Sequence, residues 1–196
     1  MTGNTPIFPL NVVMFPGSEL PLRIFETRYL DMVSECLRNS SGFGICLIQH
    51  GSEVGKAAET CKTGTYCRIT DWGNEAGGLL SISVRGDQRF RIINSSVQPD
   101  NLIRAEIEWA CDRHCGPVTG KYKRLQEFLR QLHTQFDFQY EVSPENLQDA
   151  AWLSYRLADL LPLALGQKQA LLEQSDPAMR LDSLMQWIET IQGLTV

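Results

Sequence analysis

The chain has 196 residues, 43% of them hydrophobic, with 18 Lys+Arg against 23 Asp+Glu and a formal net charge of -5. That length suits one large globular domain or two small ones, and the acidic balance argues against a phosphate-binding surface for nucleic acid. No apolar run approaches the ~20 uninterrupted residues a bilayer requires. MTGNTPIFPLN lacks the basic start of a secretory leader, so the expected location is the cytoplasm. There the six cysteines are expected as free, mostly buried thiols.

The opening IFPLNVVMFPGSELPLRIFETRYLDMV is divided by Pro9, Pro16 and Pro21 into short apolar pieces, which excludes one long helix and suits short strands. Pro16-Gly17 is a turn signal. After Pro21, Leu30, Val33 and Leu37 recur at helical spacing and predict a helix near 27–39. FGICLIQHG then reads as a buried strand, GTYCRITDWG as another. In LLSISVRGDQRFRIINS the residues Leu80, Ile82 and Val84, then Phe90 and Ile92, alternate with polar neighbours; LIRAEIEWAC alternates likewise through Ile103, Ala105, Ile107 and Trp109. Period-2 alternation places one face in a core and the other in water, as in an antiparallel sheet or barrel.

Beyond Gly116-Pro117 the texture becomes helical. KYKRLQEFLRQLHTQF sets Tyr122, Leu125, Phe128, Leu132 and Phe136 along one stripe. SPENLQDAAWLSYRLADLLP reads as one helix with Ser143 as N-cap and Pro144 at its first turn. GQKQALLEQS predicts a short helix, and DPAMRLDSLMQWIETIQG a last one capped by Asp176 and stopping at Gly193. The expected architecture is α+β, with a β-rich part over 1–115 followed by a bundle of three or four helices over 116–196. Trp152, Tyr155 and Trp187 are expected in that bundle's core.

Three segments, in order, resemble a known family. IFPLNVVMFPGSELPLRIFETRY is similar to the opening of the Lon protease N-terminal, substrate-binding domain family, including Arg23, Phe25, Glu26, Arg28 and Tyr29. GTYCRIT with GLLSISVRGDQRFRI resembles its middle, and LPLALGQKQALLEQSDPAMRLDSL its helical signature. The resemblance implies a PUA-like β pseudo-barrel followed by a C-terminal helical bundle. It implies a free-standing module that recognises proteins or peptides, without ATPase or protease parts. The expected partners are unfolded or extended protein segments, with a separate protease or chaperone as co-worker, and no membrane or nucleic acid. Neither a monomer nor a homo-oligomer is implied. RNA binding by a PUA-like barrel is the first alternative, an uncharacterised hydrolase the second.

Catalytic motifs are not in evidence. Gly51-Ser-Glu-Val-Gly55-Lys56 and Gly116-Pro-Val-Thr-Gly120-Lys121 each fall one residue short of a phosphate loop and lack the hydroxyl that follows its lysine. There is no GxSxG elbow. Cys111-Asp-Arg-His-Cys115, even with Cys61 and Cys67, lacks the spacing of a zinc knuckle, so no metal and no cofactor is expected.

Two candidate contact surfaces remain. At the LPLRIFETRY corner, Arg23, Glu26 and Arg28 are expected to form ion pairs around the helix start, with Phe25 and Tyr29 packed beneath. This is read first as a lock between strand and helix, and second as a ligand contact. The central hairpin is expected to show Arg85, Arg89 and Arg91 on one wet face, either paired to Glu106 and Glu108 or open to an acidic peptide or RNA. Trp72, expected in the loop TDWGNEAGG, is the candidate aromatic anchor.

Overall fold

A computed structural model describes residues 4–74, 79–113, 116–135 and 142–193. The chain divides into two units, Met1–Cys111 and Asp112–Val196.

The first unit holds strands β1 (Thr5–Leu10), β2 (Glu19–Ile24), β3 (Phe43–His50), β4 (Glu59–Thr60), β5 (Thr63–Asn74), β6 (Leu80–Val97) and β7 (Ile103–Trp109), with helix α1 (Thr27–Asn39) after β2. Pairing runs β1-β7-β6-β5-β3, and β1 also pairs with β3 in parallel, so these five strands close on themselves. β2 adds to the first half of β6 and β4 to the end of β3. The β1–β2 connection turns at Gly17, whose φ of 78° is open to glycine at little cost.

A closed sheet has an inside and an outside, and both are apolar here. Ile7, Cys46, Phe90, Ile92, Ile103, Ala105 and Ile107 form one cluster drawn from strands around the ring. A five-stranded ring has little interior room, and two glycines create it. A Cβ on Gly44 would lie 2.5 Å from Phe90 Cζ and 2.8 Å from Ile7 Cδ1, and one on Gly64 would lie 2.5 Å from Cys46 Sγ. The second cluster joins Phe8, Phe43, Ile45, Cys67, Ile82 and Val84 to α1 through Tyr29, Met32, Val33 and Cys36. It lies outside the ring, since a helix cannot fit within five strands. Burying each of these α1 side chains contributes about 1.5–3 kcal/mol. The buried stripe of α1 is therefore Tyr29, Met32, Val33 and Cys36. Leu37, expected on that stripe, is exposed.

One extra residue redirects β6. Cys67 lies opposite Gly86 and Tyr66 opposite Gln88, so Asp87 is a bulge. A single inserted residue turns every following side chain to the other face. Ile82 and Val84 accordingly belong to the outer cluster, while Phe90 and Ile92, of the same parity, belong to the inner one. Arg89 then shares the face of Thr65, its cross-strand neighbour, and is buried. The three arginines expected together on one wet face are therefore divided: Arg85 lies on one face before the bulge, and Arg89 and Arg91 lie on the other beyond it, Arg89 buried and Arg91 exposed.

The second unit contains one 3-10 turn (Gly120–Tyr122) and, among the described residues, five α-helices rather than three or four: α2 (Lys123–Gln135), α3 (Pro144–Gln148), α4 (Ala150–Leu160), α5 (Leu165–Glu173) and α6 (Pro177–Gly193). The segment read as one helix from Ser143 is broken at Asp149. Its backbone is extended (φ -83°, ψ 110°), ending α3, and its carboxylate starts α4 by accepting from the N–H groups of Ala151 (2.8 Å) and Trp152 (3.1 Å). Ser143 caps α3 and Asp176 caps α6, as their positions before proline predict. On α2 the buried residues are Leu125, Gln126 and Leu129; Phe128 and Leu132 are half-buried, and Phe136 lies outside the described residues. Tyr155 is buried, whereas Trp152 and Trp187 are half-buried.

Within this unit Arg180 is fully buried. It donates to Asp112 Oδ1 (2.7 Å), Ser154 Oγ (3.0 Å) and the Gln174 carbonyl (2.6 Å), and it lies 4.1 Å from the centre of the Tyr155 ring. Lys168 donates to the Asp159 carbonyl (2.7 Å) at the end of α4. These contacts give the arginine and lysine of the LPLALGQKQALLEQSDPAMRLDSL segment structural roles.

Candidate functional site

Where β2 runs into α1, the first unit carries an open groove of about 520 Å³. Phe8 and Leu10 of β1 contribute to it, together with Pro21, Leu22 and Arg23 of β2 and the turn residues Phe25 and Glu26. Its other wall is the 51–58 segment, represented by Glu53 and Val54. Phe25 and Val54 are both large apolar residues left open to water, at 59% and 54% exposure. An apolar concavity with a few polar groups is the usual form of a binding site.

The surrounding contacts explain how this wall is held. Gly51 (φ 107°) and Gly55 (φ 93°) allow the 51–58 segment its two sharp turns. Glu53 accepts the Asn11 N–H at 2.7 Å, and Glu26 accepts the Gly55 N–H at 3.3 Å. Val54 is thereby held on a segment tethered from both sides.

Arg28 organises the base of the corner. It is buried, pairs with Glu26 at 3.0 Å, donates to the Asn101 carbonyl at 2.9 Å and stacks 4.5 Å from the centre of the Tyr29 ring. Its Nε has no hydrogen-bond partner among the described residues. Tyr29 is buried against Phe8, with ring centres 4.1 Å apart. Burial first, and the Glu26 and Glu53 carboxylates after it, push the Tyr29 hydroxyl up to about 12, against the opposing pull of Arg28. The phenol is therefore neutral at physiological pH.

The corner residues thus separate into a buried set and an exposed set. Arg28 and Tyr29 are buried, and the Glu26–Arg28 ion pair forms as expected. Phe25, expected to pack beneath, instead projects into water, because the chain turns between β2 and α1 and presents this side chain outward. Arg23 is exposed and lines the groove. The groove therefore brings together Arg23, Phe25, Glu26 and Tyr29. Glu53 and Val54 join them from a segment that reads as a polar loop. The available signal was an isolated valine between two glycines, which is too common to single out.

The other candidates lie apart from this groove. Trp72 is exposed, at 59%, but stands on β5 opposite Ile82 rather than in a loop, because the hairpin strands extend further than their alternation indicates. Arg85 is exposed opposite Glu19 of β2 and Arg68 of β5, and Arg91 faces Glu108 of β7. Glu106 instead receives the Asn94 amide at 3.2 Å. Among the described residues no group of three or more His, Cys, Asp or Glu is placed to hold a metal ion; His114 and Cys115 lie outside them. No helix among the described residues is long and apolar enough to cross a membrane.

A closed barrel bearing an apolar groove beside one packed helix, with a helical unit following in sequence, defines an α+β recognition fold of the Lon N-terminal type. The chain belongs to the ATP-dependent protease La (LON) substrate-binding domain family, which matches residues 4–190. Among solved structures, it is similar to a Lon N-terminal domain protein from Xanthomonas campestris, with 36% identity and a TM-score of 0.79 over 94% of this chain and 98% of that one. The N-terminal domain of Mycobacterium avium complex Lon protease shares the fold at 20% identity, with a TM-score of 0.69 over 94% and 97% of the two chains. The Lon protease of Cytophaga hutchinsonii is 25% identical over 196 residues, which is 94% of this chain but 24% of that protein. Lon protease 1 of Bdellovibrio bacteriovorus is 31% identical over 83% of this chain and 20% of its own length. The chain thus spans about a quarter of the length of these Lon proteases.

Proposed function

We propose that this chain is a non-catalytic module that binds unfolded or extended protein segments, using the β2–α1 groove as its contact surface. The observation that carries the reading is the pairing of Phe25 and Val54, both exposed, across a 520 Å³ groove. The groove is built from the segment that most resembles a substrate-binding family. Its tyrosine is held protonated, and each of its carboxylates accepts a backbone N–H with no nucleophile and base paired beside it among the groove's lining residues. An adaptor role, delivering bound chains to a separate protease or chaperone, extends this reading. Cys36, Cys46, Cys61 and Cys67 are buried thiols outside any disulfide, which suits a reducing compartment such as the cytoplasm.

The test is retention of a reduced, carboxymethylated protein, with a peptide array as the second format. Wild-type chain retains the probe at micromolar concentration. Phe25→Ala, which removes an exposed ring and leaves the fold intact, weakens retention about fivefold to thirtyfold. That factor follows from the ~1–2 kcal/mol recovered when a half-wet aromatic ring is covered. Undiminished binding by Phe25→Ala refutes the groove as the contact surface, and turnover of the probe refutes the non-catalytic reading.

A further inference from the structure

The charges around the groove are unevenly compensated. Glu26 lies against the buried Arg28 guanidinium at 3.0 Å and also accepts from the Gly55 N–H. Glu53 accepts one neutral donor, the Asn11 N–H, through Oε1. No cation pairs with it among the described residues. Its carboxylate nevertheless lines an apolar concavity next to Val54. An occupant made only of apolar side chains would strip water from that carboxylate and offer nothing in return, a costly outcome in a low-dielectric site. An acidic occupant would add repulsion from both Glu53 and Glu26. An occupant with a lysine or arginine beside its apolar anchor recovers the lost hydration as a charge-assisted hydrogen bond.

We propose that this groove selects extended segments in which a bulky apolar residue, seated between Phe25 and Val54, is adjoined by a lysine or arginine that meets Glu53. Arg23, on the β2 side of the groove, favours the opposite charge. The inference therefore gives Glu53 the dominant part, since it sits beside the apolar wall where the cation would follow its anchor. This rests on the groove being the peptide contact surface, and it adds the chemistry that the groove prefers.

The experiment uses the full chain and fluorescein-labelled ten-residue peptides of Gly and Ser. Each carries Leu-Phe-Leu followed by Lys, Gln or Glu, and binding is read by anisotropy at low and high salt. The Lys peptide binds about fivefold tighter than the Gln peptide at low salt, the gain expected of one partly exposed ion pair, and high salt erases the difference. Glu53→Gln keeps an amide oxygen that can accept from Asn11 but removes the charge, so the ratio of Lys- to Gln-peptide affinity falls to about one. A preference that survives in Glu53→Gln, its absence from the wild type, or tighter binding of the Glu peptide overturns the assignment. Binding that is indifferent to charge yet weakened by Phe25→Ala sinks this inference alone. Failure of all three peptides to bind sinks the groove reading with it.

Discussion

Replacing Arg28 with methionine separates the lock from the contact surface. The side chain is buried and donates to the Asn101 carbonyl at 2.9 Å and to Glu26 Oε1 at 3.2 Å. Hydrogen bonds to a charged donor are each worth about 1.5–3 kcal/mol, so losing two removes about 3–6 kcal/mol. Two effects offset this. Nε is buried without a partner among the described residues, and removing an unsatisfied donor returns about 1–3 kcal/mol. Methionine also keeps most of the packing against Tyr29. Glu26, left without its cation, is partly exposed and retains the Gly55 N–H, so its penalty is screened. The net expectation is a loss of about 2–3 kcal/mol, read as a lower urea midpoint at unchanged slope by circular dichroism. Peptide affinity measured below the unfolding transition should fall less than threefold. Phe25→Ala should show the reverse pattern, with stability changed by less than about 0.5 kcal/mol and binding sharply weaker. If Arg28→Met abolishes binding while stability holds, Arg28 is a ligand contact and not a purely structural lock.

Gly44→Ala should cost at least about 2 kcal/mol, because the added methyl meets Phe90 and Ile7 within 2.8 Å inside the closed ring; chemical denaturation measures this, and a neutral substitution would show that the ring has slack. Tyr29 ionises near 12 rather than its usual 10, so the folded state holds this proton more tightly than the unfolded chain. The stability this provides is complete below pH 10 and is lost as pH rises through 12, which tyrosinate absorbance compared with Tyr29→Phe can follow. Burial pushes the Cys36, Cys46 and Cys67 thiols up, while Cys111 is exposed. In a Cys115→Ser background, a thiol reagent at pH 7 should therefore show one fast equivalent, removed by Cys111→Ser, with the buried thiols reacting only as the protein opens.

The first corner of the fold was legible because its signals are local. Pro16-Gly17 sets a turn and Pro21 sits on β2, which pairs with β6 alone, where a missing N–H is tolerated. The helical spacing after it gives α1. The helix caps Ser143 and Asp176 were readable for the same reason. Asp149 is also a cap-forming residue, but Ala150 follows it where proline follows the other two, and the apolar spacing that runs across it favours one continuous helix. The groove was only half legible. Arg23, Phe25 and Glu26 adjoin in sequence, whereas Glu53 and Val54 reach them through a tether between a backbone N–H and a carboxylate on a different element, which no periodicity records.

Arg89 shows why alternation alone cannot define a surface. Its parity matches that of Arg85 and Arg91, and in an unbroken strand all three would share one face. The Asp87 bulge breaks that rule midway, and Asp87 then pairs with Arg68 at 2.9 Å on the neighbouring strand. The apolar residues keep even numbering throughout, from Ile82 to Ile92, so the sequence presents one stripe where the fold has two. The inversion lets a single strand supply Ile82 and Val84 to the layer beneath α1 and then Phe90 and Ile92 to the inside of the ring. Burying Arg89 is its consequence, and the arginine-lined RNA or acidic-peptide face is lost with it. The β2–α1 corner is different in kind. There the apolar side chains left in water, Phe25 and Val54, face one groove from two separate segments, and Glu26 links the two by pairing with the buried Arg28 and accepting the Gly55 N–H. This is the physical ground for proposing the β2–α1 corner as the recognition surface: two apolar side chains exposed beside one groove.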